Sequence, residues 1–135
     1  MGASWLAWVD FILIIILIII LIFITFFGGG LIRGINYLIV DLSPSSTSVE
    51  LRTGTNVMGI SSPTVDQTVV VLANSANRKG LTFKITNSST TANTMFVEGA
   101  SNVSINFGPI GNEIDPGESA GFIAINDNNS FLRYE

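Results

Sequence analysis

Residues 11–27 read FILIIILIIILIFITFF, an uninterrupted apolar run in which Thr25 is the only polar side chain. A helix of that length rises about 25 Å, a little short of a hydrocarbon layer about 30 Å thick. The flanks extend it. Trp5, Leu6, Ala7, Trp8 and Val9 continue the apolar surface on one side, and Leu31 and Ile32 follow three glycines on the other. In lipid no water reaches the backbone, so a lone apolar segment satisfies its amides only by becoming helical. The sequence therefore predicts a membrane anchor from about Trp5 to Phe27, carried by Trp5, Trp8, Phe11, Ile14, Ile18, Leu21, Phe26 and Phe27. The two tryptophans share a helix face at one headgroup boundary, and the two phenylalanines lie near the other. Sixteen Ile, Leu and Phe side chains at about −0.5 kcal/mol each give on the order of −8 kcal/mol for insertion.

Charge supports this reading. Asp10 and Arg33 are the only charged side chains in residues 1–40, while residues 41–135 carry nine acids and five bases and hold the whole net charge of −4. A cleaved signal peptide would begin with basic residues and end at a small-residue cleavage site, and neither is present. A helix apolar on every face would also be hard to bury in one small domain. The single Arg33 tilts the positive-inside rule towards a C-terminal domain on the cytosolic side at insertion. Gly28, Gly29, Gly30 and Gly34 should end the helix and let the segment LIRGINYLIV, residues 31–40, lie at an angle to the membrane surface.

After this anchor and juxtamembrane region (residues 1–40), residues 41–48 read as a linker and residues 49–135 as a separate domain. There the apolar period changes to two. Leu81, Phe83 and Ile85 alternate with Thr82, Lys84 and Thr86, and Val103, Ile105 and Phe107 alternate with Ser104 and Asn106. Such alternation marks strands with one buried and one solvated face. Further strands are expected at 48–52, 67–72, 93–98, 119–125 and 130–134, separated by stretches rich in Asn, Ser, Gly and Pro. Seven short strands without a helical pattern predict an all-β domain, an antiparallel β-sandwich or jelly roll.

The chain contains no His and no Cys. Histidine general bases, Ser-His-Asp triads, thiol nucleophiles, disulfides and Cys/His zinc sites are thereby excluded. Glu113, Asp115 and Glu118 form an acidic cluster, and Asp127 lies among Asn126, Asn128 and Asn129, but neither has the ligand spacing of an EF-hand. Asp115-Pro116-Gly117-Glu118 reads instead as a β-turn. Arg78 and Lys79 read as a solvated turn rather than a phosphate site. The sequons at Asn87, Asn102 and Asn128 are expected by chance in such a composition. No catalytic residue, metal site or cofactor is predicted, and an acidic balance with six scattered bases argues against nucleic acid.

The order of these elements carries a resemblance. Asn77-Arg78, then Leu81-x-Phe83-x-Ile85-x-Asn87, then Ile105-x-Phe107-Gly108, then Ile114-x-Pro116-Gly117-Glu118-Ser119 and a short last strand is similar to small β-sandwich modules of bacteriophage virion proteins. The resemblance covers about half of the chain. A virion module joined to a membrane anchor implies the tailless icosahedral phages with an internal membrane, such as corticoviruses, tectiviruses and finnlakeviruses. It implies a non-enzymatic, self-associating structural protein. The protein would sit in the host inner membrane and then in the virion membrane, with capsid, penton or spike proteins as partners. The alternatives from other classes are a cellular single-span protein displaying an adhesion or ligand-binding sandwich, and a filament subunit with a shared hydrophobic helical core.

Overall fold

The computed structural model describes residues 2–23 and 36–135. The chain divides into two compact units, one ending at Ile35 and the other beginning at Asn36. In the first, Gly2–Phe23 form α1, a continuous helix of 22 residues. Its residues Ser4–Phe23 are long and apolar enough to cross a membrane, and none of that stretch is buried. Twenty residues rise about 30 Å, which matches the hydrocarbon layer. Phe26, Phe27, the glycines at 28, 29, 30 and 34, and Arg33 lie outside the described residues.

The second unit holds ten strands in two sheets. In chain order they are β1 (Leu38–Asp41), β2 (Ser48–Leu51), β3 (Val57–Ser61), β4 (Gln67–Val71), β5 (Thr82–Asn87), β6 (Met95–Gly99), β7 (Ser104–Asn106), β8 (Glu113–Ile114), β9 (Ser119–Ala124) and β10 (Ser130–Arg133). One sheet has the order β1-β3-β5-β9-β10-β7, and the other β2-β4-β6-β8. From β1 to β8 the chain therefore crosses to the opposite sheet after every strand. This coiling makes β1, β3 and β5 parallel neighbours, and likewise β2, β4 and β6. Antiparallel pairing is confined to the closing part, where β9 pairs with β5 and β10, and β8 with β6.

The expectation of an antiparallel sandwich is corrected by this topology. The domain is β-rich and two-layered, but its sheets are mixed. Alternation of apolar residues reports which face is buried and says nothing about the direction of the neighbouring strand. The repeat behind the coiling is visible once the register is known. Leu38, Val57 and Phe83 stand side by side, as do Val49, Val69 and Val97. The turns after β1, β3 and β5 begin Ser43-Pro44, Ser62-Pro63 and Ser88-Ser89 and stack through Thr64 N to Pro44 O at 3.0 Å and Ser88 N to Ser61 O at 2.8 Å. The stretch read as a linker is thus the first of these turns, with Leu42 buried beneath it. Leu38 to Val40, the last residues of the segment expected along the membrane surface, lie in β1.

All seven expected strands are present, while β1, β3 and β8 were not foreseen. In β3 the pattern is broken by Gly59, at which a Cβ would meet Leu42 Cδ1 at 3.1 Å and Leu51 Cδ1 at 3.2 Å. A residue without a side chain is what lets those two leucines close the core. The core centres on Phe83, stacked on Phe122 with ring centroids 4.7 Å apart and met edge-on by Phe131 at 5.0 Å. Leu51, Val69, Val71, Ile85, Met95, Val97 and Ile114 fill the rest of the space between the sheets.

Candidate functional site

On α1 the side chains expected to carry the anchor are all exposed, from 50% for Ile18 to 69% for Trp5, with Trp8, Phe11, Ile14 and Leu21 between. Trp8 and Phe11 meet edge-to-face at 6.1 Å, so the aromatic cluster lies towards one end of the helix. By length and composition this helix can cross a membrane.

In the β domain the residues singled out by sequence fall to structural roles. Asp115 O accepts from Glu118 N at 3.0 Å and Gly117 has φ +82°, which is the type II turn that Pro-Gly demands. Arg78 Nη1 is spent on the carbonyls of Ser75 and Asn77, and Asp127 Oδ1 accepts from Lys79 N at 2.8 Å. Among the described residues no group of three acidic side chains could hold a metal ion. Of the sequons, Asn87 is fully buried: its Nδ2 donates to Asn93 O and Ile114 O, both at 3.0 Å, and its Oδ1 accepts from Ser89 N. Asn102 and Asn128 are exposed in turns.

The sequence reading missed three polar clusters. At one end of the sheets Asn77 Nδ2 donates to Thr53 Oγ1 at 2.8 Å and Asn129 Oδ1 at 2.6 Å, and Asn74 Nδ2 to Thr53 O at 2.7 Å, so three loops far apart in sequence are tied together. Arg133 is buried with Nη1 on Gly111 O at 2.7 Å and Glu113 O at 2.9 Å and Nε on Glu135 O at 2.8 Å. Burial lowers its pKa from the ordinary arginine value, and the charge of Glu118 acts in the opposite direction. The signal was present, since Arg133 follows Phe131 at the core-facing spacing of two. The third cluster lies on the outer face of the six-stranded sheet. Tyr37 Oη is 3.0 Å from Thr82 Oγ1, Lys84 Nζ stands 5.8 Å from the Tyr37 ring centre and pairs with Glu135 at 3.2 Å, and Tyr134 packs over Gly121. Burial first, then the hydroxyl of Tyr37 and the charge of Glu135, push the Tyr134 phenol up to about 12.

One surface cleft of about 320 Å³ opens beside the stacked turns, lined by Ser62, Pro63, Thr64, Thr90, Thr91 and Asn93 with Ser89 beneath. Its hydroxyls and amides supply hydrogen bonds but neither charge nor an acid–base pair. The described residues therefore offer a helix able to cross a membrane and a β domain with a hydroxyl-rich surface cleft. Compared with known protein families and with curated proteins, the chain matches none.

Proposed function

We propose that this chain is a non-enzymatic structural protein of a tailless icosahedral phage with an internal membrane, held in that membrane by α1 and touching capsid, penton or spike proteins through its β domain. The observation that carries the reading is the helix: Ser4–Phe23 is unburied and, apart from Ser4 and Asp10, apolar throughout, and it is joined to a β domain whose turns are built from Ser, Thr and Asn. Insertion of the helix supplies a permanent tether, and the domain supplies selectivity. Residues 41–135 carry only fourteen charged side chains, so contacts made by the hydroxyl-rich turns incur little desolvation of charge. Many copies in one shell make self-association part of the same reading.

Virion fractionation tests it. Virions treated with detergent should release the protein together with lipid or leave it on capsid or vertex fragments. Recovery in a fraction free of both sinks the tether. Protease added to intact host cells separates the cellular alternative, since a displayed adhesion domain would be cut from outside and a capsid-facing one would be protected.

A further inference from the structure

The two ends of the paired sheets differ. At one end the outermost strands are β7, of three residues, and β8, of two, with the 3-10 turn Gly108–Ile110 between them in the chain. At the other they are β1 and β2, of four residues each, and among the described residues neither has a paired strand on its outer side. Coiled β structures normally cover such an end, because open backbone groups and the edge of the core pair with whatever strand arrives. Here Leu38 is 64% exposed and Ile39 54%, while Val40 and Val49, which pack on the core, stay half-buried.

We infer that the β1–β2 end is a two-fold interface with a second copy of this chain, in which β2 pairs antiparallel with β2 of that copy. Backbone geometry limits the choice of register. Thr68 N donates to Thr47 O at 2.9 Å and Leu72 N to Leu51 O at 3.0 Å, so residues 47, 49 and 51 direct their peptide groups to β4. Ser48, Glu50 and Arg52, the alternate residues, direct theirs outward. An antiparallel partner must place outward residues opposite outward residues. With Glu50 opposite Glu50 or Arg52 opposite Arg52, like charges face each other. With Leu51 on the axis, Glu50 of each copy lies opposite Arg52 of the other and Ser48 opposite Gly54.

Two further observations agree with that register. Glu50 and Arg52 are both exposed and form no ion pair among the described residues, where the one pair is Lys84–Glu135. Two opposite charges at adjacent outward positions are self-complementary under a two-fold, whereas a strand edge guarded only against pairing needs charges of one sign. Leu51 is itself 1% exposed within its own core, so on the axis it meets its copy through the backbone, and the apolar part of the junction comes from β1. Gly59 lies beside Val40 in register and its added Cβ would meet Leu51 Cδ1, so an axis at Leu51 passes near Val40 and brings the exposed core edge of β1 to the same junction. Tethering in one bilayer raises the effective concentration of the two copies. The interface specifies the self-association in the proposed function without requiring a virion.

Charge exchange tests it on the full chain in detergent micelles or nanodiscs, with mass measured over a dilution series. The unaltered protein should dimerise. Glu50→Arg and Arg52→Glu, each placing like charges opposite one another twice, should weaken the dimer by about tenfold or more, and the double exchange Glu50→Arg with Arg52→Glu should restore it. Both positions are solvent-exposed, so thermal unfolding of each variant reports that the fold is kept. A chain that stays monomeric, a dimer indifferent to the single exchanges as α1 association alone would give, or single exchanges that the double does not rescue each overturn the proposal. Failure to find the protein in any virion would sink the proposed function and leave this interface standing.

Discussion

Tyr134 shows how the outer face of the six-stranded sheet is closed. Its ring occupies the space that a side chain at position 121 would take, with Cζ 2.7 Å from a Cβ built on Gly121. Gly121 is directly opposite Lys84 across the β5–β9 pairing, so the same small residue brings Tyr134 close to Tyr37 and Glu135. Tyr134 keeps 46% of its surface exposed, and the partial burial of its phenol beside Tyr37 disfavours the anion, so the folded state holds the proton up to about 12 against 10.0 for the free group. The sign follows. As the pH rises past about 10 the unfolded chain loses this proton first, so the contribution to stability is full below about 10 and declines until the folded group titrates near about 12. Denaturant unfolding at pH 9 and pH 11 should show a smaller loss of stability in Tyr134→Phe than in the unaltered protein. Equal losses would show that the phenol is not held neutral by the fold.

At the scale of elements, the helix and the strands were legible for different reasons. The run at 11–27 needs no partner to be read, because its uniform apolarity specifies its surroundings. The strand at Thr82–Asn87 was legible because its two faces have different neighbours, core and water. β1 and β3 were not, since LIVD and VMGIS are short, the first continues an apolar tract and the second has a glycine at its centre. The anchor gives a graded prediction. A lysine at the centre of a spanning helix costs about 2.5–3.5 kcal/mol, which the roughly −8 kcal/mol of the apolar run outweighs once but barely twice. Ile14→Lys should stay in the membrane fraction after carbonate extraction, and Ile14→Lys with Ile18→Lys should be partly released from it. Full retention of the double variant would show that α1 is held by something other than its own burial in lipid.

For the whole β domain, what the sequence conceals is the order in which strands meet. Each crossing between the sheets is made by turns of Ser, Thr, Asn and Pro that would serve a hairpin equally well, and a shift of nineteen residues from Leu38 to Val57 becomes twenty-six from Val57 to Phe83, so no fixed period announces the coil. The polar clusters are hidden for the same reason, since Asn77, Thr53 and Asn129 acquire meaning only when three loops converge. This order has a dynamic consequence. β5 and β9 are paired on both edges and carry Phe83 and Phe122 at the centre of the core, whereas β1 and β7 each have one neighbour. Opening β1 or β7 breaks one ladder; opening β5 or β9 requires the core to separate. Amide hydrogen exchange should therefore be slowest in β5 and β9, at rates governed by unfolding of the entire domain, and faster by about tenfold or more in β1 and β7. Uniform exchange across these strands would mean that the end coils are as firmly held as the centre, and that the coiled order does not govern how the domain opens.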